Sequence, residues 1–228
     1  MKQDYIWDFY QNEAPETFSG SVARLTFLAR KVKPNSKVLD IGVGAGVFEE
    51  VAIKMGLDVY ALDPSERSIE LLRQRFGMGE KARVGYSQNM PFADRFFEAV
   101  VISELVEHLS EDITEQTLSE ISRILVPGGR VIGTVPAREN LRESLVVCPD
   151  CGSLFHRWGH VQSFDTKRMR ALLSRNFEVE EVFERPFFTW SAANWKGKIE
   201  AVVRLLLYRL GVHGSNENIV FVARKPCA

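Results

Sequence analysis

The chain has few cysteines, no excess charge of either sign and no long apolar run, and each shortage excludes a class of protein. Its 3 cysteines among 228 residues are too few for a disulfide scaffold. The 29 basic and 30 acidic side chains nearly cancel, without the basic excess that binding to phosphate backbones normally leaves, so no nucleic-acid partner is expected. The N-terminus carries acids and lacks the apolar segment of a secretory signal, which makes the cytoplasm the expected location.

What the chain does contain is an alternation of short apolar runs with helical patterns, which predicts an α/β fold with a mostly parallel sheet. We predict strands at 37–41, 57–62, 81–85, 97–102, 129–135, 177–183 and 218–224. We predict helices at 22–32, 45–56, 65–76, 112–124, 166–175 and 194–210. The length suits a single domain, 1–228, that begins with a helical segment, 1–36.

Two insertions, at about 137–165 and about 186–216, interrupt the alternation. In open α/β sheets the ligand binds outside the carboxyl ends of the strands, where the strand order switches. We therefore expect both insertions to reach that edge of the sheet and to add substrate-specific pieces there.

The stretch 38–48 combines an apolar run, an acid and three glycines. The acid and the glycines are spaced by two, at Asp40, Gly42, Gly44 and Gly46. This pattern predicts a tight strand-to-helix turn whose bare backbone admits a ligand. A dinucleotide would require Gly-x-Gly-x-x-Gly, and Val47 and Glu49 occupy the positions where the third glycine would fall. A nucleotide-dependent oxidoreductase is therefore disfavoured.

Five motifs follow one another in an order typical of one family. They are the glycine turn, Asp63-Pro64 after the second strand, the stretch 85–92 ending in Met90-Pro91-Phe92, Glu107-His108-Leu109 after the fourth strand, and Pro127-Gly128-Gly129 before the fifth. The chain thereby resembles the class I S-adenosylmethionine-dependent methyltransferases, and it looks most like their small-molecule branch of ubiquinone and menaquinone biosynthesis. The resemblance implies the Rossmann-like methyltransferase fold, a three-layer, doubly wound and mostly parallel sheet of seven strands with the last strand antiparallel.

The resemblance also implies which residues bind S-adenosylmethionine: Asp40, Gly42, Val43, Gly44, Gly46, Asp63, Pro64, Ser87, Gln88 and Ser103. Asp40 would order the glycine turn and meet the methionine ammonium group. Asp63 would accept both ribose hydroxyls, although an acid just before a helix is also a common cap. Tyr86 stands where the family often has an acid beside the adenine, which leaves Ser87 and Gln88 as the expected adenine contacts.

The implied activity is transfer of a methyl group to a small-molecule acceptor by in-line displacement. Alignment supplies most of the rate of such a reaction, so no catalytic triad is expected. His108 is the candidate general base because its ordinary pKa lies near neutrality, and the alternative is that it orders the loop before the next helix. A non-catalytic S-adenosylmethionine-binding regulatory or scaffold protein is a second interpretation of the same motifs.

Two cysteines and two histidines lie close together in the first insertion. Cys148 and Cys151 form a Cys-x-x-Cys-Gly motif, and His156 and His160 follow shortly after it. Two thiolates and two imidazoles complete a tetrahedral zinc shell, so we predict a structural zinc site. The alternatives are reduced structural cysteines, a reversible disulfide, and histidines that belong to the substrate pocket.

The second insertion contains an apolar helix at 194–210 that also carries Lys196, Lys198, Arg204 and Arg209. These charges interrupt the apolar run, so the helix is not predicted to span a bilayer. A lid packed on the core is the favoured interpretation. A dimer contact and association with a membrane surface are the alternatives.

Overall fold

The structure, a computed structural model, describes residues 4–14, 17, 20–189, 194–212, 214 and 217–227. Parts of the predicted N-terminal segment and of the second insertion lie outside the described residues. The helices are α1 (Asp4–Asn12), α2 (Val22–Ala29), α3 (Val47–Lys54), α4 (Glu66–Phe76), α5 (Glu111–Ile124), α6 (Thr166–Leu173) and α7 (Trp195–Arg209). The strands are β1 (Lys37–Ile41), β2 (Asp58–Asp63), β3 (Ala82–Val84), β4 (Phe97–Ser103), β5 (Leu125–Pro136), β6 (Leu145–Val147), β7 (Leu154–His156), β8 (Glu178–Arg185) and β9 (Asn218–Arg224).

Seven of these strands form one sheet in the order β3-β2-β1-β4-β5-β9-β8. Strands β1 to β5 are parallel to one another, and β9 runs antiparallel to both β5 and β8. The prediction of a doubly wound, mostly parallel sheet of seven strands with the last strand antiparallel is confirmed. The chain turns from one half of the sheet to the other between β1 and β4, which is the switch point where such sheets bind ligands.

The central strands are buried on both faces, which explains why their sequences are continuous apolar runs. In β4, Val100 and Ile102 pack into one hydrophobic cluster, whereas Ala99 and Val101 pack into a second cluster on the opposite face. This alternation is the period of two of an extended strand. A Cβ on Gly133 of β5 would lie 2.1 Å from the Ile102 carbonyl oxygen, so the close approach of β4 and β5 requires glycine there.

Helix α4, which follows the end of β2, begins and ends at the signals that its sequence carries. The Oγ of Ser65 accepts the backbone N–H of Ser68 at 3.2 Å and caps the first turn. Gly77 ends the helix in the left-handed conformation that glycine adopts at low cost. The Ser65 cap fixes the β2–α4 junction at the sheet edge.

The two insertions differ from their predictions. The first contains a β6–β7 hairpin that was not predicted, because strands of three residues are too short to show a periodic pattern. The second contains α7, of which only Ala201 is buried, so less of this helix packs on the core than the favoured interpretation expects. Within the described ranges, no helix combines the length and the apolar character that crossing a membrane requires.

Candidate functional site

A cavity of about 1000 Å³ opens at the carboxyl edge of the sheet, beside the switch point between β1 and β4. One part of its lining, which we call the glycine wall, comes from the β1–α3 turn, the end of β2 and the loop after β3. The glycine wall consists of Gly42, Gly44, Asp63, Pro64, Ser87 and Gln88. The part that we call the histidine wall consists of Trp7, His108, Leu141, Val161, Gln162 and Arg168.

The glycine turn joins β1 to α3 through three residues in the left-handed conformation. The φ angles of Gly42, Gly44 and Gly46 are +85°, +52° and +74°, which residues with a side chain rarely adopt. The Gly42 N–H donates to the Leu62 carbonyl oxygen at 2.9 Å and ties the turn to β2. A Cβ on Gly46 would lie 2.7 Å from Leu72 Cδ2, so this glycine permits packing of the turn against α4. Gly42 and Gly44 leave the backbone open toward the cavity.

Asp63 ends β2, and its carboxylate holds the turn and the next helix together. Its Oδ2 accepts the N–H of Val43 at 3.1 Å and the side-chain amide of Gln11 at 3.2 Å. Its Oδ1 accepts the N–H of Ser65 at 2.8 Å. Burial raises the pKa of Asp63, and the backbone donors of Ser65 and Val43 oppose that rise. Asp63 therefore supports the start of α4 and also lines the cavity, as Pro64 does.

Asp40 and Glu49 form a buried acid pair beneath the glycine turn. Burial raises the pKa of Asp40 well above its ordinary value, and the neighbouring Glu49 adds to the rise. Burial likewise raises the pKa of Glu49 to about 7. A pair with two raised pKa values retains a proton near neutrality. The sequence analysis did not single out Glu49, which occupies the first turn of α3.

Asp40 and Ser103 face a recess of about 50 Å³ that adjoins the glycine turn. Arg24 of α2 also lines this recess and donates from Nε to the Ser103 Oγ at 3.1 Å. Glu104 lies 4.0 Å from the Arg24 guanidinium and has a φ of +54°, which is unusual for a residue with a side chain. Arg24 is a positively charged group at the site that sequence reasoning missed.

The two predicted adenine contacts, Ser87 and Gln88, both lie in the loop after β3 but differ in their surroundings. Ser87 and Gln88 both line the cavity. The Ser87 hydroxyl is hydrogen-bonded to Thr117 Oγ1 of α5 at 2.8 Å, so it anchors the loop. Gln88 is half-buried on the cavity surface and is the better placed of the two to contact a ligand.

His108 lies in the 3-10 turn that follows β4, and its imidazole contacts helix α1. The Trp7 Nε1–H donates to His108 Nδ1 at 3.3 Å, and the two rings meet edge to face. Burial, reinforced by the charges of His160 and His156, lowers the pKa of His108 to about 3. The imidazole is therefore neutral at physiological pH and a weak base. This geometry favours the interpretation in which His108 orders the wall of the site.

The four predicted zinc ligands do not come together in this structure. His156 ends β7 and stacks on His160 with ring centroids 4.7 Å apart. His160 Nδ1 lies 2.5 Å from Glu139 Oε2, and His156 Nε2 lies 3.5 Å from Glu139 Oε1. Cys148 and Cys151 lie beyond the paired strands, at the tip of the β6–β7 hairpin. Among the described residues, two groups are close enough to share an ion, and neither contains a cysteine: Glu107 with His108 and His160, and Glu139 with His156 and His160.

The hydrogen bonds of the histidines also leave few lone pairs for a metal. His156 Nδ1 accepts the backbone N–H groups of Trp158 and His160 at 3.3 and 3.2 Å, which places its own proton on Nε2. His108 likewise accepts through Nδ1. A ligating imidazole needs an unprotonated nitrogen that faces the ion and usually donates from the other one. The donor set of this structure therefore does not fit zinc on the predicted residues.

Most of the histidine wall was missed by the sequence analysis. Trp7 comes from α1, Arg168 from α6, and Leu141, Val161 and Gln162 from the first insertion. The concentration of aromatic residues in α1, Asp-Tyr-Ile-Trp-Asp-Phe-Tyr-Gln-Asn, was a signal that could have drawn attention to it. The others carry no local motif, because only the fold brings their segments together.

Comparison with known proteins agrees with the geometry of the glycine wall. Residues 39–133 match a family model described as "Methyltransferase domain". The chain is similar to demethylmenaquinone methyltransferase of Renibacterium salmoninarum, at 33% identity over 115 residues that cover 48% of this chain and 45% of that protein. It is also similar to "Probable tRNA methyltransferase 9B" of Bos taurus, at 28% identity over 145 residues that cover 61% of this chain and 30% of that protein. The chain thus spans less than half the length of these curated relatives.

Solved structures share the fold. The chain superposes on 1,6-didemethyltoxoflavin-N1-methyltransferase of Burkholderia thailandensis with a TM-score of 0.67 and 17% identity, covering 98% of this chain and 86% of that one. That enzyme was crystallised with 1,6-didemethyltoxoflavin and S-adenosylhomocysteine.

The sheet order and the glycine wall define an α/β protein of the class I methyltransferase type. Residues 39–133 thus carry the methyltransferase domain, and the resemblance to S-adenosylmethionine-dependent methyltransferases stated from the motifs is confirmed. The expectation that nucleic acid is no partner is not confirmed, because one relative is named as a tRNA methyltransferase.

Proposed function

We propose that this chain transfers a methyl group from S-adenosylmethionine to a small-molecule acceptor. The observation that carries the proposal is that one cavity of about 1000 Å³ is lined both by the glycine wall and by the histidine wall. Pockets for a single small ligand commonly occupy about 300–1,000 Å³, so this volume suits a cofactor together with a compact acceptor.

The residues of the glycine wall fit the cofactor. Gly42 and Gly44 have no side chain to block its approach. The Asp63 carboxylate accepts three hydrogen bonds, which leaves acceptor capacity on Oδ1 for a ribose hydroxyl. Gln88 would contact the base. When bound, S-adenosylmethionine supplies an electrophilic methyl group on a cationic sulfur.

The contribution of the chain to the reaction is then binding, alignment and exclusion of water. We assign His108 to holding the wall in place, because Trp7 occupies its Nδ1 and its pKa is lowered to about 3. A neutral imidazole also adds no positive charge to a cavity that accepts a cationic cofactor.

The histidine wall suggests the character of the acceptor. Trp7, Leu141 and Val161 are apolar or aromatic, whereas Gln162 and Arg168 are polar. The Gln162 side-chain amide is held by the Leu109 carbonyl oxygen at 2.6 Å, so its orientation is fixed. A largely apolar acceptor with one polar or anionic substituent suits this lining.

The test begins with binding. We expect the full chain to bind S-adenosylmethionine but not NAD in calorimetric titrations. Asp63→Asn should weaken binding of S-adenosylmethionine about tenfold. The amide nitrogen of asparagine cannot accept the hydrogen bonds that the replaced carboxylate oxygen accepts. Asp58→Asn is the matched control on the same strand, where Asp58 pairs with Lys81 at 2.7 Å at the opposite end of β2, and it should leave affinity unchanged. Binding of NAD instead would contradict the proposal.

Transfer of a radiolabelled methyl group is then measured against quinols, small amines, hydroxylated aromatics and total tRNA. Turnover of a small molecule supports the proposal, and turnover of tRNA alone would replace it with the activity that one relative's name carries.

A second candidate, a non-catalytic cofactor-binding protein, is favoured by the weak basicity of His108. Tight binding without turnover of any acceptor would favour this candidate. The cytoplasmic location and the zinc site stay predictions.

A further inference from the structure

Helix α7 presents an apolar face to solvent. Seven large apolar residues at its surface and end are exposed: Trp195, Ile199, Val202, Val203, Leu206, Leu207 and Leu210. Their exposure is not marginal, since Trp195 is 68% and Leu210 77% accessible. A group of exposed large apolar residues on one element is a common sign of an interaction site.

The spacing of these residues places them on one side of the helix. They recur at intervals of three and four residues from Trp195 to Leu210, which is the pattern of a single helical stripe. The helix also has a separate inner side, on which Ala201 is buried and Leu205 and Tyr208 are half-buried. The outer stripe is therefore a second apolar face, additional to the one that packs on the protein.

The charges beside the outer face are mostly positive. Lys196, Lys198 and Arg209 are exposed. The acid of the helix, Glu200, is paired with Arg204 at 2.8 Å, which leaves the three other cations to set the sign of this surface. A surface with an apolar centre and cationic borders complements an apolar layer covered by anionic groups.

The topology places α7 at the edge of the sheet where the cavity opens. In the chain, α7 follows β8 and precedes β9. Asn218 at the start of β9 pairs with Arg185 at the end of β8 and with Pro136 at the end of β5. The ends of β5 and β8 belong to the same carboxyl edge as the glycine turn. Tyr208 of α7 and Thr166 of α6 line one surface depression, and Arg168 of α6 lines the cavity.

We propose that the outer face of α7 docks on an anionic lipid bilayer and lies in the plane of its surface. The apolar stripe enters the boundary between head groups and acyl chains, and Lys196, Lys198 and Arg209 contact the anionic head groups. A second copy of the chain is a poorer occupant, because pairing two such faces brings cationic borders together. Docking brings the edge of the sheet that carries the cavity toward the bilayer.

Vesicle co-sedimentation of the full chain tests this proposal without depending on methyl transfer. We expect binding to vesicles of phosphatidylcholine and phosphatidylglycerol, at least about tenfold weaker binding to phosphatidylcholine alone, and a fall in binding as salt is raised. Absence of binding to the anionic vesicles, or equal binding to both kinds, would overturn the proposal.

Variants separate the two parts of the surface. Leu206→Ser combined with Ile199→Ser should abolish binding by removing the centre of the stripe, and Lys196→Glu combined with Lys198→Glu should reduce it about tenfold. Leu71→Ser is the matched control, because Leu71 of α4 is 51% exposed but lies off this helix. Circular dichroism confirms that each variant is folded.

Light scattering measures the oligomeric state and so distinguishes docking on lipid from a contact between two copies of the chain. A monomer in solution that binds anionic vesicles supports docking on lipid. If the protein is a dimer that Leu206→Ser dissociates, and if it does not bind vesicles, the face belongs to a contact with a second copy and the proposal is overturned. Loss of vesicle binding in Leu71→Ser to the same degree as in the stripe variants would also overturn it, since binding would then not be specific to α7.

Discussion

The two walls of the cavity are held in place by different kinds of contact. The glycine wall is fixed by the backbone, as in the hydrogen bond from Gly42 N–H to the Leu62 carbonyl oxygen. The histidine wall is fixed by side chains from distant parts of the chain. His108 meets Trp7 of α1 edge to face with ring centroids 5.3 Å apart, and it meets His160 of the first insertion at 4.7 Å.

This difference separates what the fold requires from what this particular chain adds. A wall of backbone groups can be kept by many sequences, provided that glycine occupies the positions of positive φ. A wall of interlocked rings depends on the identity of each side chain, so it can be changed to suit an acceptor without loss of the cofactor site. If this comparison is correct, substitutions in the two walls will have separable effects on stability, pH dependence and ligand binding.

Gly46→Ala should have the largest effect and tests the backbone-held wall. Its φ of +74° strains any residue with a side chain, and the added Cβ would lie 2.7 Å from Leu72 Cδ2. Strain and overpacking together should lower the free energy of unfolding by about 2–4 kcal/mol. Affinity for S-adenosylmethionine should fall as the turn shifts. Urea denaturation and calorimetry measure the two effects.

Gly56→Ala is the control for that experiment. Its φ of +77° is nearly the same, but nothing lies within 4 Å of the Cβ that would be added. It should cost about 1 kcal/mol, from the backbone alone. Equal losses in the two variants would show that contact between the turn and α4 contributes nothing, and would weaken the claim that close packing holds the glycine wall.

The glycine wall could be predicted from the sequence because its determinants are local. An acid, three glycines and a second acid at the end of the next strand are enough to predict the turn, its positive φ angles and the place of Asp63. The helix start at Ser65 followed from residue type alone in the same way. The proton held by Asp40 and Glu49 could not be predicted, because it depends on burial that only the folded sheet creates.

The histidine wall and the surroundings of α7 could not be predicted, for two physical reasons. Glu139 and His160 are brought together by the folded insertion, so their contact leaves no trace in local spacing. Local spacing likewise does not show that Cys148 and Cys151 lie at the tip of the β6–β7 hairpin, apart from the cluster of His156, His160 and Glu139. For α7 the sequence predicted an apolar helix correctly, but the sequence does not show whether its apolar residues meet protein or solvent.

Glu49→Gln should have the next largest effect and concerns pH. The folded pKa of Glu49 is about 7 against an ordinary 4.5, so between these values the folded state keeps a proton that the unfolded chain has released. The contribution of Glu49 to the free energy of unfolding therefore falls as pH rises through this window. Glutamine removes the contribution of Glu49, which amounts to about 3 kcal/mol across the window, and leaves the contribution that burial of Asp40 makes. Urea denaturation at a series of pH values from below to above the window measures the slope.

Glu50→Gln controls for the loss of a neighbouring acid. Glu50 is exposed to solvent and bonded to Lys54 at 2.7 Å, and this contact lowers its pKa below the ordinary value. Its titration lies below the window, so the slope should match that of the unaltered protein. An unchanged slope in Glu49→Gln would mean that the acid pair does not hold its proton, and the electrostatic description of the glycine wall would fail.

Trp7→Phe should have the smallest effect and tests the wall held by side chains. It keeps a ring beside His108 but removes the Nε1–H donor, and should cost about 1 kcal/mol of unfolding free energy. The lost hydrogen bond stabilised the neutral imidazole, so the pKa of His108 should rise from about 3, as followed by NMR titration. Because the folded pKa lies below the ordinary 6.5, the stability that His108 contributes is lost as pH falls below 6.5, and the variant should lose less of it.

Tyr10→Phe is the matched control within α1, since Tyr10 packs on Trp158 with ring centroids 4.9 Å apart. It should leave the His108 pKa unchanged. Neither variant should alter affinity for S-adenosylmethionine by more than about twofold, because the cofactor contacts lie on the other wall. If Trp7→Phe weakens cofactor binding as much as Asp63→Asn does, the walls are coupled through α1, whose Gln11 also donates to Asp63 at 3.2 Å. The cavity would then behave as one unit that α1 closes over both ligands.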